Sequence, residues 1–238
     1  MWIKICGNTS LDDVSISVDA AADAVGFVFA ASPRQVRPEQ VAPIAAQLPG
    51  DLTHVGVFQT RDFAEIVKAL RTSGLSGIQL HGGLDLTLIE NLRREFGERQ
   101  FLIQTLHWSV DDDPAESERH LRDGMRAVAG QNIVDAILLD ARTAAAAGGT
   151  GRTIDWSRAH DVVAAEAGKM RIVLAGGLNA QNVALAIHTV KPWGVDVSSG
   201  VERKPGQKEP ARVRTFILAA RTAFAAIENH PLAALTPR

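Results

Sequence analysis

Ala24-Val25-Gly26-Phe27-Val28-Phe29 alternates large apolar residues with small ones. Two-residue alternation is the signature of a strand, whose side chains point to opposite faces. Val25, Phe27 and Phe29 make one face; Ala24, Gly26 and Val28 make the other. A strand buried on both faces of an open parallel sheet reads as a more uniform apolar run. A closed barrel explains the asymmetry: the bulky set packs under helices, and the small or polar set fills a narrow interior.

Outward from this stretch, strands are predicted near 2–6, 23–29, 53–58, 76–81, 100–106, 134–140, 171–175 and 193–198. Helical periodicity predicts helices near 10–21, 38–48, 61–72, 84–96, 115–128, 155–167, 179–189 and 210–228. Eight strands separated by helices predict an α/β fold, a single (β/α)8 TIM barrel over 1–229. The alternation assigns Lys4, Cys6, Gln79, His81, Asp196 and Ser198 to the interior, together with His54, Gly56 and Phe58. It leaves Val55, Val57, Ile78, Leu80, Val195 and Val197 facing the helices.

Two segments stand apart. His107 to Gln131 reads as an extended connection with its own helix, acidic at Asp111-Asp112-Asp113. Thr143 to Thr153 is an Ala/Gly-rich loop and a candidate lid. Its Gly148-Gly149-Thr150-Gly151-Arg152-Thr153 lacks the Gly-Lys-Ser/Thr ending of a P-loop. The stretch 230–238 contains two Pro and is predicted to be a flexible tail.

The whole-chain numbers narrow the function. The 238 residues are 46% hydrophobic, and the formal net charge is −2 with the charges interspersed. No basic stripe offers a nucleic-acid surface. The longest uncharged stretch, Ile172 to Val190, carries Asn179, Gln181, Asn182 and His188, which a bilayer span does not tolerate. The opening Met1-Trp2-Ile3-Lys4-Ile5-Cys6 has no signal-peptide pattern, and Cys6 is the only cysteine. A cytoplasmic location, with neither nucleic acid nor membrane as partner, is the expectation.

Polar residues gather at the C-terminal strand ends, at Cys6, His81, Asp140 and Ser198. Barrel enzymes keep their active site there. Cys6 reads either as a small buried hydrophobe or, beside Lys4, as a thiol of lowered pKa that serves as base or nucleophile. Lys4 has its own alternative, an ion pair with a carboxylate inside the barrel. Asp140 ends the apolar run Ala136-Ile137-Leu138-Leu139 and reads equally as an acid/base group or as turn chemistry. Desolvation raises the pKa of such a carboxyl, as a general acid requires.

Ala175-Gly176-Gly177-Leu178-Asn179 and Asp196-Val197-Ser198-Ser199-Gly200 follow the seventh and eighth strands, where barrels seat phosphate. Asn179 alternatively caps the following helix. Arg34 reads as a solvated loop charge or as a bidentate clamp for a carboxylate. His81 reads as a satisfied interior histidine or a polar contact. Trp156 and Trp193 read as packing residues, and no His/Cys/carboxylate set has metal-binding spacing.

Together these segments resemble the phosphoribosylanthranilate isomerases. The resemblance rests on Lys4-Ile5-Cys6-Gly7 with Thr9, Ala22 to Phe29, Ser32-Pro33-Arg34, Val55-Gly56-Val57-Phe58 and Gln79-Leu80-His81-Gly82. It continues through Leu138-Leu139-Asp140, Gly148 to Gly151 with Asp155-Trp156, Ala175 to Asn179 and Asp196 to Glu202. It implies a (β/α)8 barrel that performs an Amadori rearrangement on a small phosphorylated substrate, without metal or cofactor, as monomer or homodimer.

It further implies Asp140 as general acid, Cys6 as general base and Arg34 on the anthranilate carboxylate. Gly176, Gly177, Ser199 and Gly200 would hold the phosphate, with Lys4, His81, Asp196 and Ser198 completing the substrate contacts. The chain departs from the family pattern in the length of 107–131, at Gln104-Thr105, at Gly83 and at Ala30-Ala31. The related histidine-pathway isomerases place an Asp where Cys6 stands. Indole-3-glycerol phosphate synthases need strand-borne lysines and a glutamate that Lys4 alone does not supply. A non-catalytic phosphate-ligand binder on the same barrel is disfavoured by the presence of both Cys6 and Asp140.

Overall fold

In the computed structural model, which describes residues 1–131, 133–143, 146–147 and 154–229, eight parallel strands close into a barrel. They are β1 (Trp2–Ile5), β2 (Ala24–Val28), β3 (Thr53–Phe58), β4 (Gly77–Leu80), β5 (Phe101–Ser109), β6 (Ala136–Thr143), β7 (Arg171–Leu174) and β8 (Gly194–Val197). Each pairs with its sequence neighbours, and β8 returns to β1 with Lys4 opposite Asp196. A two-residue strand, Ala146–Ala147, pairs antiparallel with the end of β6. A short hairpin, β9 (Glu202–Lys204) and β10 (Gln207–Lys208), follows β8.

Eight α-helices surround the described barrel: α1 (Leu11–Asp19), α2 (Pro38–Ala45), α3 (Phe63–Ser73), α4 (Leu86–Phe96), α5 (Pro114–Ala129), α6 (Trp156–Glu166), α7 (Val183–Val190) and α8 (Pro210–Asn229). Their starts are set locally. Ser10, Asp62, Asp85, Asp113 and Asp155 each accept backbone N–H bonds from the first turn of the next helix. Such caps satisfy amides that otherwise lack partners. They also turn the chain sharply at the C-terminal strand ends, so that five helix N-termini ring one mouth of the barrel.

Within 107–131, β5 continues to Ser109 and α5 fills most of the remainder, so the stretch supplies the fifth outer helix. Ala220 and Ala223 of α8 are buried with Phe216 and Phe224, so its small residues let the last helix lie close on the barrel. No described helix is long and apolar enough to cross a membrane. The stretch 230–238 and most of 143–153 lie outside the described residues.

The interior has a shut end and an open end. Trp2 stacks on Trp193 at 5.4 Å between ring centroids and lies 5.8 Å from Phe101. The Arg171 guanidinium sits 5.0 Å above the Trp193 ring. Above this plug come Ala24, Val55, Ile103, Leu138 and Val173, and then the polar strand ends.

One expectation about facing is overturned. Val55 and Val57 point into the barrel, not toward the helices: Val55 packs with Trp2 and Ile103, and Val57 lines the mouth. Phe58 packs outside, in the cluster with Phe27 and Ile66, and Gly56 faces the Phe29 and Phe58 rings. His54 also stands outside, its Nδ1 accepting the Ser76 N–H. The cause is register. Gly26 faces inward and pairs with Val55, and a strand's parity follows from its partner.

Candidate active site

The open end holds a cavity of about 450 Å³, lined by Cys6, Arg34, Gln79, His81, Asp140 and Asp196 and by the loops after β7 and β8. That volume lies within the range of ligand sites, ~300–1,000 Å³.

Cys6 follows β1, and its backbone N–H bonds the Val197 carbonyl at 2.8 Å, which ties it to β8. Gly26, opposite, leaves room for its sulfur: a Cβ there would fall 2.7 Å from Sγ. Lys4 lies two residues earlier on the same inward face and is wholly buried. Its Nζ donates to Asp196 Oδ1 at 3.0 Å. Burial opposes the Lys4 charge, but Asp196 outweighs it and holds the ammonium's pKa above its ordinary range. Lys4 does not line the cavity. It is a buried counter-ion to Asp196, which does line the cavity.

A lowered thiol pKa is not what this pairing produces. Burial pushes the Cys6 thiol up; Lys4 draws it down, but Asp196 acts against Lys4. Lys4 bonds the sulfur as well as Asp196, but burial is the larger influence and favours the neutral thiol.

Asp140 sits in β6, inward-facing and 6% exposed. Burial, and then the negative charge of Asp196, raise its pKa to about 7. The Ala141 backbone and Lys4 act in the opposite direction. Such a carboxyl carries its proton near neutrality and gives it up readily, the condition for a general acid. His81 Nε2 lies 3.7 Å from Asp140 Oδ2, and the His81 ring meets the edge of His107 at 4.7 Å.

Gly176 shows why the β7 loop carries glycine. Its φ is +83°, and a Cβ there would fall 2.5 Å from the Ala141 nitrogen and 3.1 Å from Asp140 Oδ1. Gly176, Gly177, Ser198 and Ser199 all line the cavity, adjacent to the acid. Gly200 does not line it and packs behind, against the Leu178 carbonyl. Asn179 does not cap α7, whose N-cap is Asn182; its Oδ1 accepts from Gln181 N at 2.9 Å and Asn182 N at 3.2 Å in the turn that precedes the helix. Ser198 Oγ and Gln79 Oε1 are buried at this cavity with no hydrogen-bond partner in the protein. Orphans of this kind mark places where a ligand supplies the missing bond.

Arg34 reaches the cavity from the β2–α2 loop. It is not a solvated charge. Its Nε donates to Glu202 Oε1 at 2.8 Å and its Nη2 to Glu202 Oε2 at 2.7 Å. Glu202 in turn accepts from Lys208 Nζ at 2.9 Å. Sequence reasoning assigned no role to Glu202 or Lys208. The usable signal was Pro205-Gly206, a turn dipeptide that folds the two residues opposite each other across β9–β10.

Among the described residues, the group of His, Cys, Asp and Glu that could converge on a metal ion is His81, His107 and Asp140, with ligand atoms within 4.8 Å of one another. His107 Nε2 already engages the His81 carbonyl at 3.2 Å. A zinc ion bound at about 2.0–2.2 Å would need these groups to rearrange.

A family model described as N-(5'-phosphoribosyl)anthranilate (PRA) isomerase matches residues 3–219. N-(5'-phosphoribosyl)anthranilate isomerase of Pelobacter propionicus is 44% identical over 216 residues, covering 90% of this chain and 93% of that protein. The crystal structure of phosphoribosyl anthranilate isomerase from Thermotoga maritima superposes with a TM-score of 0.77 at 36% identity, covering 93% of this chain and 99% of that one. A second crystal structure, of such an isomerase in complex with reduced 1-(o-carboxyphenylamino)-1-deoxyribulose 5-phosphate, matches with a TM-score of 0.73 at 34% identity, covering 93% and 99%. With the thiol, the carboxyl and both glycine loops gathered at one mouth, and with these likenesses across the barrel, the chain belongs to the N-(5'-phosphoribosyl)anthranilate isomerase family.

Proposed function

We propose that this chain converts N-(5-phosphoribosyl)anthranilate to 1-(2-carboxyphenylamino)-1-deoxyribulose 5-phosphate in tryptophan biosynthesis, with Asp140 as general acid and Cys6 as general base. The observation that carries the assignment is a single cavity lined by both groups, the carboxyl held near neutrality.

Asp140 donates its proton to the furanose ring oxygen, and the C1–O bond breaks as the anilino nitrogen's lone pair forms an iminium. The cation acidifies the C2–H bond. It also places, beside Sγ, a positive charge that offsets the burial and the Asp196 charge that raise the Cys6 pKa. Cys6 gives its S–H proton to solvent, and the thiolate takes the C2 proton and leaves an enolamine. Ketonisation moves that proton from Cys6 to C1 and the 2-hydroxyl proton to Asp140; Cys6 regains its proton from solvent as product leaves. Gly176, Gly177 and Ser199 receive the phosphate through backbone and hydroxyl donors, and Ser198 Oγ and Gln79 Oε1 bond the sugar side. Arg34 takes the ring carboxylate, with Asp196 and His81 near the ribose. The reaction runs in the cytoplasm on a free small-molecule substrate.

The test is an assay in which phosphoribosylanthranilate is generated in situ and the loss of its fluorescence is followed. Turnover of that substrate, with far slower turnover of the phosphoribosylamine substrate of the histidine-pathway isomerases, is the expected result. Absence of turnover on the anthranilate compound would sink the proposal.

A further inference from the structure

Arg34 is the polar side chain placed to meet the ring carboxylate, yet two of its donors are already used inside the protein. The bonds to Glu202 run through Nε and Nη2, one edge of the guanidinium. Nη1 lies on the other side of the fork, and Arg34 lines the cavity while Glu202 does not. Glu202 is 5% exposed and stands behind the fork.

The stem of Arg34 is equally confined. It crosses Gly7, where a Cβ would fall 2.6 Å from Arg34 Cδ and 2.8 Å from Ser198 Oγ. Glu202 is itself held on several sides: Oε1 also accepts from Lys208 Nζ at 2.9 Å and from Gly206 N at 3.3 Å. The buried Lys208 ammonium donates to the Cys6 carbonyl as well. The hairpin tip is pinned in turn, with Thr9 Oγ1 donating to the Gly206 carbonyl at 2.6 Å. Burial alone would raise the Glu202 pKa, but Arg34 and Lys208 outweigh it and keep the carboxylate ionised.

We infer that Glu202 is a positioning residue for substrate recognition: it turns one edge of the Arg34 fork away from the cavity and presents the other edge to the substrate's ring carboxylate. An arginine on a free, flexible stem would otherwise swing its rigid fork through the mouth, and holding it in one geometry removes that entropy before the ligand arrives. The buried Lys208 completes the device by anchoring Glu202 to the backbone of Cys6. Recognition of the carboxylate and placement of the thiol therefore share one support. This inference rests on the assignment of Arg34 to the ring carboxylate.

The test compares two reduced product analogues by calorimetry, the 2-carboxyphenylamino compound and the phenylamino compound that lacks the carboxylate. Wild-type protein prefers the first. Arg34→Ala abolishes that preference; if it does not, the assignment of Arg34 fails. Glu202→Gln, which keeps the shape and removes the charge, reduces the preference about tenfold and raises KM by a similar factor, with kcat within about threefold. A Glu202→Gln protein that keeps the full preference while Arg34→Ala loses it overturns the role of Glu202. So does equal weakening of both analogues, which marks a purely structural residue. Should Glu202→Gln fail to fold, Glu202→Asp keeps the charge but withdraws it from the fork by one methylene, and the same readouts decide.

Discussion

The two ends of this barrel are built from the same eight strands on opposite terms. At the shut end, Trp2, Trp193 and Phe101 pack against one another and Arg171 lies over an indole face. At the open end, Lys4, Asp196, Asp140 and Cys6 crowd together in a space where each charge depends on its neighbours. Aromatic burial favours the fold outright. A buried ion pair and a strongly shifted carboxyl contribute little net stability; their proposed use is chemical. Stability and chemistry are thus separated along the barrel axis, and the separation can be attacked from either side.

The largest effect is expected at the open end. Asp140→Asn removes the transferable proton, so kcat should fall about 10²–10⁴-fold while affinity for a product analogue holds. Retained turnover would strip Asp140 of its role. The mirror experiment is Trp2→Ala at the shut end. Loss of a buried aromatic should cost about 3–5 kcal/mol of unfolding free energy, read by urea denaturation. KM and kcat of the folded fraction should stay unchanged, and a kinetic defect there would break the separation of the two ends.

The smallest effect concerns pH. Asp140 has a folded pKa of about 7, above its unfolded value of 3.8. Its protonated form is the proposed donor, so kcat/KM should decline as pH rises through about 7 in a single-proton limb absent from Asp140→Asn. The sign for stability follows from linkage. A carboxyl with a raised folded pKa favours the fold below pH 3.8, and that contribution is lost as pH climbs toward 7. Asp140→Asn should therefore be more stable than wild type at pH 8, on the order of a few kcal/mol, with the two alike near pH 4. Equal stability at pH 8 would mean that the carboxyl is not forced into its buried place.

Much of this architecture was legible in the sequence, and the limits are physical. Strand and helix periodicities are local, so the eight strands and the polar ends of β1, β4, β6 and β8 could be read directly. The facing of β3 could not. His54-Val55-Gly56-Val57-Phe58 presents apolar residues on both faces, and its parity is set by pairing with Gly26. The direction of the Cys6 shift was equally hidden. Lys4 stands two residues away, but the carboxylate that neutralises it lies 192 residues on. Arg34 and Glu202 are 168 residues apart and meet through a hairpin outside the repeating strand–helix pattern. The residues proposed to do the chemistry sit at regular strand ends and were readable. Those that tune and aim them come from loops joined by distant contacts.

The seam between β1 and β8 has a consequence for the birth of the molecule. The Cys6 carbonyl is gripped by Lys208, 202 residues further along. A ribosome adding about 5–20 residues per second takes roughly 10–40 s to reach that lysine. During that interval the emerging chain carries its single thiol on an unpaired strand edge, open to oxidants and to chaperones. The first strand is thus made long before the residues that close the barrel over it.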